Sequence, residues 1–355
     1  MEYADQINLE NKRKLTILLQ ELPKFCNDYF RYLDTRNTSS RTRLAYAYDL
    51  RLFFQFLQKN NPVYRDTPMQ DIPISVLDQL TPTDIEEYLS YLSFYEKTDG
   101  SEQTNGEKGK SRKLSALRTM YQYFFKKEFI TTNAPSMIDT PKKHKDQIIH
   151  LDKDEVADLL SSAENGTTLT KKQLSLHEKT KYRDTAILTL LLGTGIRVSE
   201  LVGLNINDVN FKYKCARIIR KGGNESTVYF GEEVSDALSD YLSLERPSLE
   251  AKASPEHADA FFLSLKYQRI TARSVELLVK KYSNAAHINK KITPHKLRST
   301  YGTNLYKETG DIYLVADALG HKSVETTRQH YAATDEERRK LAGKFSGNLF
   351  HADSD

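Results

Sequence analysis

Five side chains of this sequence could clamp and attack a phosphodiester: Arg197, His295, Arg298, His321 and Tyr331. They lie in four short segments, Gly193-Thr194-Gly195-Ile196-Arg197, Pro294-His295-Lys296-Leu297-Arg298, Leu319-Gly320-His321 and His330-Tyr331. Two guanidiniums neutralise non-bridging oxygens at any working pH, because they present fork-shaped donors that stay cationic. Imidazoles add donors, and a phenol with a pKa of about 10 becomes a nucleophile once a base takes its proton. Such a set works without metal or cofactor, and none is expected here. The first segment is far upstream of the others, so the chemistry depends on a fold that reunites them.

The local patterns say how the segments would be held. Gly193-Thr194-Gly195 lacks the third glycine of a dinucleotide fingerprint and follows a helix-like run, residues 186–192, where that motif needs a strand. It reads instead as a helix, a tight turn and a second helix through Ser199-Glu200-Leu201, which projects Arg197 from a defined backbone. His295 and Arg298, three residues apart on a helix opened by Pro294, share a face. Residues 216–220 and 226–230 read as a hairpin around Lys221-Gly222-Gly223-Asn224. Otherwise the second half, opening at Asp152-Lys153-Asp154-Glu155, is a succession of helices.

The first half reads as all-helical. Apolar spacing predicts a helix over 9–32 interrupted at Pro23, another capped within 38–40 and running to Leu57, and a third opened by Thr81-Pro82-Thr83-Asp84. After a polar loop, 98–109, a fourth covers 111–127. Between Lys108 and Lys127 there are seven Lys or Arg and no acid, interleaved with Tyr121, Tyr123, Phe124 and Phe125. That pattern suits either a solvated face over an aromatic core or a helix laid on phosphates. Candidate DNA contacts are Arg41, Arg43, Lys110, Arg112, Lys113, Arg118, Lys142 and Lys143, the last two in a proline-containing basic linker. The expected division is a helical domain over 1–140, a linker over 141–149 and a second domain over 150–355.

Bulk properties exclude more than they select. A length of 355 residues favours two cores. A net charge of +4 from 52 basic and 48 acidic residues makes local clustering more informative than the total. Cys26 and Cys215 are the only cysteines and fit a reducing compartment. With no signal-like or membrane-length apolar run, a cytoplasmic protein without membrane insertion is expected.

Taken together, the segments from Asp184 to Tyr331 resemble the catalytic domain of the tyrosine recombinases, or phage-integrase family. Thr194-Gly195-Ile196-Arg197-Val198-Ser199-Glu200-Leu201 resembles its arginine box, His295-Lys296-Leu297-Arg298 its His-x-x-Arg box, and Leu319-Gly320-His321 its Leu-Gly-His box, followed at the family spacing by Thr326-Thr327 and Tyr331. Lys221 resembles the hairpin lysine. The first half is similar to the family's four-helix core-binding, SAM-like domain, chiefly at Tyr48-Asp49-Leu50-Arg51-Leu52-Phe53-Phe54. Within the family the likeness is to the Xer-type members, with the added helical segment before Arg41 and the length pointing to the XerS subgroup. Ser299-Thr300-Tyr301-Gly302 departs from a more usual His-Thr-Phe-Ala, and Val228-Tyr229-Phe230 from Val-Pro-Leu.

The resemblance implies a mainly α fold with a small antiparallel sheet in the catalytic domain. It also implies Tyr331 as nucleophile, His295 as its base, Lys221 as general acid, and a 3′-phosphotyrosyl intermediate that religates without ATP. The implied partners are a double-stranded recombination site, a homo-tetramer on two paired sites and an FtsK-like septal DNA translocase, with resolution of chromosome dimers at cell division as the task. Integration of a mobile element, a type IB topoisomerase and a catalytically idle DNA-binding relative are the rival readings.

Overall fold

The computed structural model describes residues 3–97, 99–141, 148–220, 223–321 and 323–331. Within it the chain divides into two units, Met1–Lys145 and Asp146–Asp355. The first unit carries α1 (Tyr3–Leu19), α2 (Cys26–Thr35), α3 (Ser40–Asn60), the single turn α4 (Val76–Gln79), α5 (Pro82–Tyr91) and α6 (Glu107–Lys126). A two-residue-per-strand ribbon, β1 (Tyr95–Glu96) and β2 (Glu102–Gln103), precedes α6. The loop read over 98–109 thus contains β2, and neither strand is long enough to carry the alternation that would reveal it. α6 also begins earlier than expected, since the extended Gly106 and the acidic Glu107 make a helix start.

Capping residues act where the sequence places them. Ser39 accepts from the Thr42 amide at 3.2 Å to open α3, and Thr81 with Asp84 forms a reciprocal capping box at α5. Aromatic rings fill the core: Phe53 meets Tyr88 edge-on at 5.1 Å, and Tyr29, Phe54, Tyr121 and Phe124 are fully buried around them. α1 packs on α3. Its Asn8 and Asn11 bracket the Ser40 hydroxyl at 2.7 and 3.1 Å.

The second unit carries α7 (Lys153–Asn165), α8 (Lys171–His177), α9 (Lys181–Thr194) and α10 (Val198–Gly203). A three-stranded antiparallel sheet follows, in the order β3 (Val209–Asn210), β4 (Cys215–Ile219) and β5 (Glu225–Tyr229). Then come α11 (Glu232–Asp240), α12 (Arg246–Glu250), α13 (Ala272–Ala285), α14 (Pro294–Thr309), α15 (Ile312–Leu319) and α16 (Val324–Tyr331). The hairpin strands lie one residue earlier than the turn chemistry predicts, and β3 is an addition made by pairing with β4. α9 is apolar nearly all round and is the hub, packed against α7, α11 and α14. Among the described residues no helix is long and apolar enough to cross a membrane.

Candidate active site

The site is assembled from helix ends. α9 is anchored at its start by Asp184, whose buried carboxylate accepts from Tyr282 Oη at 2.8 Å, Lys281 Nζ at 3.0 Å and Arg183 Nη2 at 2.7 Å. Burial works against that charge, but the Arg183 and Lys281 cations outweigh it and hold the carboxyl below its ordinary range. Glu245 receives the Arg183 amide at 3.2 Å at the same end of α9, and burial pushes its carboxyl up to about 7. At the other end α9 stops at Gly195, which is left-handed with φ +62°. A Cβ there would lie 2.4 Å from Tyr301 Cδ1, so the turn needs glycine for both backbone and space.

Two residues later Arg197 is the N-cap of α10. The buried Glu200 carboxylate accepts from the Arg197 amide at 2.7 Å and from its Nη1 at 2.8 Å. The arginine side chain keeps about a third of its surface exposed, at 34%. Glu200 therefore caps the helix and aims the guanidinium together.

Thr293 caps α14, accepting from the Lys296 amide, and Pro294 stands in its first turn. His295 is exposed at the start of that helix. Arg298, one turn on, is only 4% exposed. Its two terminal nitrogens donate to the Gly195 carbonyl and the Leu319 carbonyl. Both acceptors sit at helix C-termini, where the backbone dipole favours a cation. Two carbonyls thus set the plane of a group with five N–H donors, and the arginine, His-x-x-Arg and Leu-Gly-His segments meet on it.

α15 ends in a Schellman turn: Gly320 at φ +57° donates to the Asp317 carbonyl at 2.8 Å, and the His321 amide reaches the Ala316 carbonyl at 2.9 Å. His321 Nδ1 is hydrogen-bonded at 2.8 Å to the Thr327 hydroxyl, which is fully buried on α16. Tyr331 is the last residue of α16, four positions after Thr327.

The hairpin reaches the same turn through Arg220. Its backbone closes the ribbon, accepting from Gly223 at 3.0 Å and donating to the Asn224 carbonyl at 2.8 Å. Its Nη2 donates to the Ala318 carbonyl at 3.3 Å. Lys221 lies outside the described residues, as do Lys142, Lys143 and the chain after Tyr331.

Arg298 thus joins the segments of Gly195 and Leu319 to its own, and Glu200, Thr327 and Arg220 make contacts that the residue types alone do not single out. Glu200 was legible as the third residue of a capping pattern; the other two are recognised only once the turns are packed.

The expected DNA contacts of the first unit separate by burial. Arg43 is buried against Asp34, and Lys113 is buried between Asp49 at 3.7 Å and Asn105 at 2.8 Å. Arg118 donates to the Pro135 carbonyl at 2.9 Å, the Thr140 hydroxyl at 2.7 Å and the Ile138 carbonyl. All three are engaged inside the unit: Arg43 and Lys113 are buried, and the half-buried Arg118 bonds three oxygens of the same unit. Arg41 and Arg112 are exposed, Arg112 while paired with Asp49, and Lys110 is half-buried with its ammonium 2.6 Å from Ser93 Oγ.

Comparison with known proteins bears on the whole chain. The phage integrase family matches residues 150–338, and the phage integrase N-terminal SAM-like domain matches 26–128. The chain is 34% identical over 342 residues to tyrosine recombinase XerC of Caldanaerobacter subterraneus subsp. tengcongensis, covering 94% of this chain and 90% of that protein. It is 30% identical over 358 residues to tyrosine recombinase XerS of Streptococcus mutans serotype c, covering 93% and 98%. Among solved structures, the XerH site-specific recombinase bound to a palindromic difH substrate, in a post-cleavage complex, shares the fold with a TM-score of 0.66 at 21% identity, covering 94% of this chain and 88% of that one. A family match over more than half the chain and Xer relatives aligned over nearly all of it agree with the converging boxes: this chain belongs to the phage integrase family and is a tyrosine-type site-specific recombinase, an enzyme that cleaves and rejoins DNA.

Proposed function

We propose that this recombinase resolves chromosome dimers at cell division, cutting each strand through a 3′-phosphotyrosyl link. Tyr331 Oη attacks the scissile phosphorus, His295 takes its proton, and the P–O5′ bond breaks as Lys221 protonates the leaving oxygen. Arg197, Arg298 and His321 neutralise the non-bridging oxygens as charge develops. Rejoining is the reverse with a different 5′ hydroxyl, so the bond energy is conserved in the covalent link. The observation that carries this reading is Arg298 bridging the Gly195 and Leu319 carbonyls, since one buried guanidinium then holds three chemical segments in register. The likeness to Xer-named proteins supports the cellular task, and exposed Arg41 with the half-buried Lys110 supports phosphate contacts by the first unit. A homo-tetramer on two paired sites and a septal FtsK-like translocase complete the proposal.

The test is a nicked duplex carrying the chromosomal site, in which a cut strand diffuses away and traps the adduct. The wild type should become covalently joined to the 3′ end and then yield exchanged products from paired sites. Tyr331→Phe should bind that duplex with unchanged affinity and form no adduct. An adduct on that variant would move the nucleophile elsewhere, and relaxation of supercoils without sequence preference would replace the recombinase task.

A further inference from the structure

Arg220 occupies a seat that its neighbours are shaped to admit. A Cβ built on Gly320 would fall 1.0 Å from Arg220 Nη1 and 2.2 Å from its Cζ, so the guanidinium lies directly on the bare glycine. Its Nη2 donates to the Ala318 carbonyl while Arg298 takes the next carbonyl, that of Leu319. Two arginines from different elements thus share the C-terminus of α15, where the helix dipole is negative. Its Nε is buried with no acceptor among the described residues. An unmet buried donor costs stability, so stability alone does not favour an arginine here. The backbone of the same residue closes the hairpin onto Gly223 and Asn224.

We infer that Arg220 is a positioning residue that pins the end of the β4–β5 hairpin to the Leu319-Gly320-His321 turn. Lys221 is the next residue in the chain, and consecutive Cα atoms are about 3.8 Å apart. Tethering Arg220 beside His321 therefore restricts where the general acid can stand. The inference rests on the reading of Lys221 as the proton donor to the leaving O5′, and it adds the device that aligns that donor. Gly320 is required twice over, for its left-handed backbone and as the floor of the arginine seat.

A leaving-group substitution separates positioning from folding. With a sulfur atom in place of the bridging O5′, the P–S bond breaks to release a thiolate, whose conjugate acid has a pKa of about 8.5, so no proton need be delivered. The full-length protein would be assayed for covalent cleavage on ordinary and 5′-bridging phosphorothiolate duplexes, with half-site binding and melting temperature recorded for each variant. Lys221→Ala should slow ordinary cleavage by about 10²- to 10⁴-fold and recover on the sulfur substrate. Arg220→Met, which keeps the aliphatic stem, should slow ordinary cleavage by about tenfold to 10²-fold, recover likewise, and bind DNA as the wild type does. The double variant should be no slower than Lys221→Ala alone. If Arg220→Met proves unstable, Arg220→Lys carries the same comparison, retaining one cationic donor without the planar fork. Recovery of Lys221→Ala but not of the Arg220 variant, or additive losses in the double variant, would overturn the positioning role. Failure of sulfur to rescue Lys221→Ala would remove the general-acid reading and this inference with it.

Discussion

Arg298 shows how much one side chain does at this site. It is buried, it satisfies carbonyls at the ends of α9 and α15, and in the proposed mechanism it also faces the phosphate. Arg298→Ala should therefore fail in two measurable ways. Two helix-end carbonyls lose their donor, costing about 1–3 kcal/mol each if water does not replace it, and cleavage slows by roughly 10²-fold or more through loss of a preorganised cation. Arg298→Lys restores charge without the fork, so it should recover part of the stability in a denaturant melt while cleavage stays depressed. Cleavage at the wild-type rate in either variant would remove Arg298 from the clamp. Tyr301, a neighbour of this arginine on α14, is a poor substitute nucleophile because burial raises its phenol above the ordinary range.

The elements matter chiefly for where they stop. α9 must end at Gly195 for its carbonyl to face Arg298 and for Arg197 to open α10. Gly195→Ala forces a left-handed alanine, worth about 1–2 kcal/mol, and sets a methyl against Tyr301. A lowered melting temperature and at least tenfold slower cleavage are expected, about the loss that a small misplacement of reacting groups produces. Unchanged cleavage would mean that the turn tolerates a shifted Tyr301.

The opposite end of α9 carries a pH dependence. Glu245 titrates at about 7 in the folded protein against 4.5 as its ordinary value, so the folded state binds the extra proton between those values. Stability is then greatest below the ordinary value and falls as pH rises through about 7, by at most about 3 kcal/mol. Thermal melts at pH 5 and pH 8 should show a larger drop for the wild type than for Glu245→Gln, which has no proton to lose. Equal drops would assign the dependence to other groups.

At the scale of the whole molecule the proposal is an assembly on DNA. Residues 335–341, Asp335-Glu336-Glu337-Arg338-Arg339-Lys340-Leu341, read as a capped helix followed by Phe345, Leu349 and Phe350, apolar residues in a polar tail. They lie outside the described residues, and their proposed role is a head-to-tail contact with the next protomer of a closed ring. Truncation after Thr334 should leave binding to a single half-site intact, weaken cooperative binding to paired half-sites and slow recombination. Wild-type recombination by the truncated protein, measured on two-site plasmids, would show that the tail is not the protomer link.

Much of this protein was legible in its sequence because local chemistry is decided locally. Caps such as Ser39, Thr81 and Asp152, the break at Pro23 and the glycine end of α9 depend on residues within one turn of each other, and the structure has them where they were read. The reactive segments were equally plain from their residue types and order. Tertiary structure decided the rest, because it depends on groups distant in the chain. In the sequence Lys113 and Arg118 are two more cations of a basic stretch; only the fold sets Asp49 beside the first and the carbonyls of Pro135 and Ile138 beside the second. Two short ribbons, β1–β2 and β3 on β4, exist only through pairing. Arg220 gives no signal in a linear reading. Its meaning comes from a glycine a hundred residues later, 320, on which the guanidinium rests.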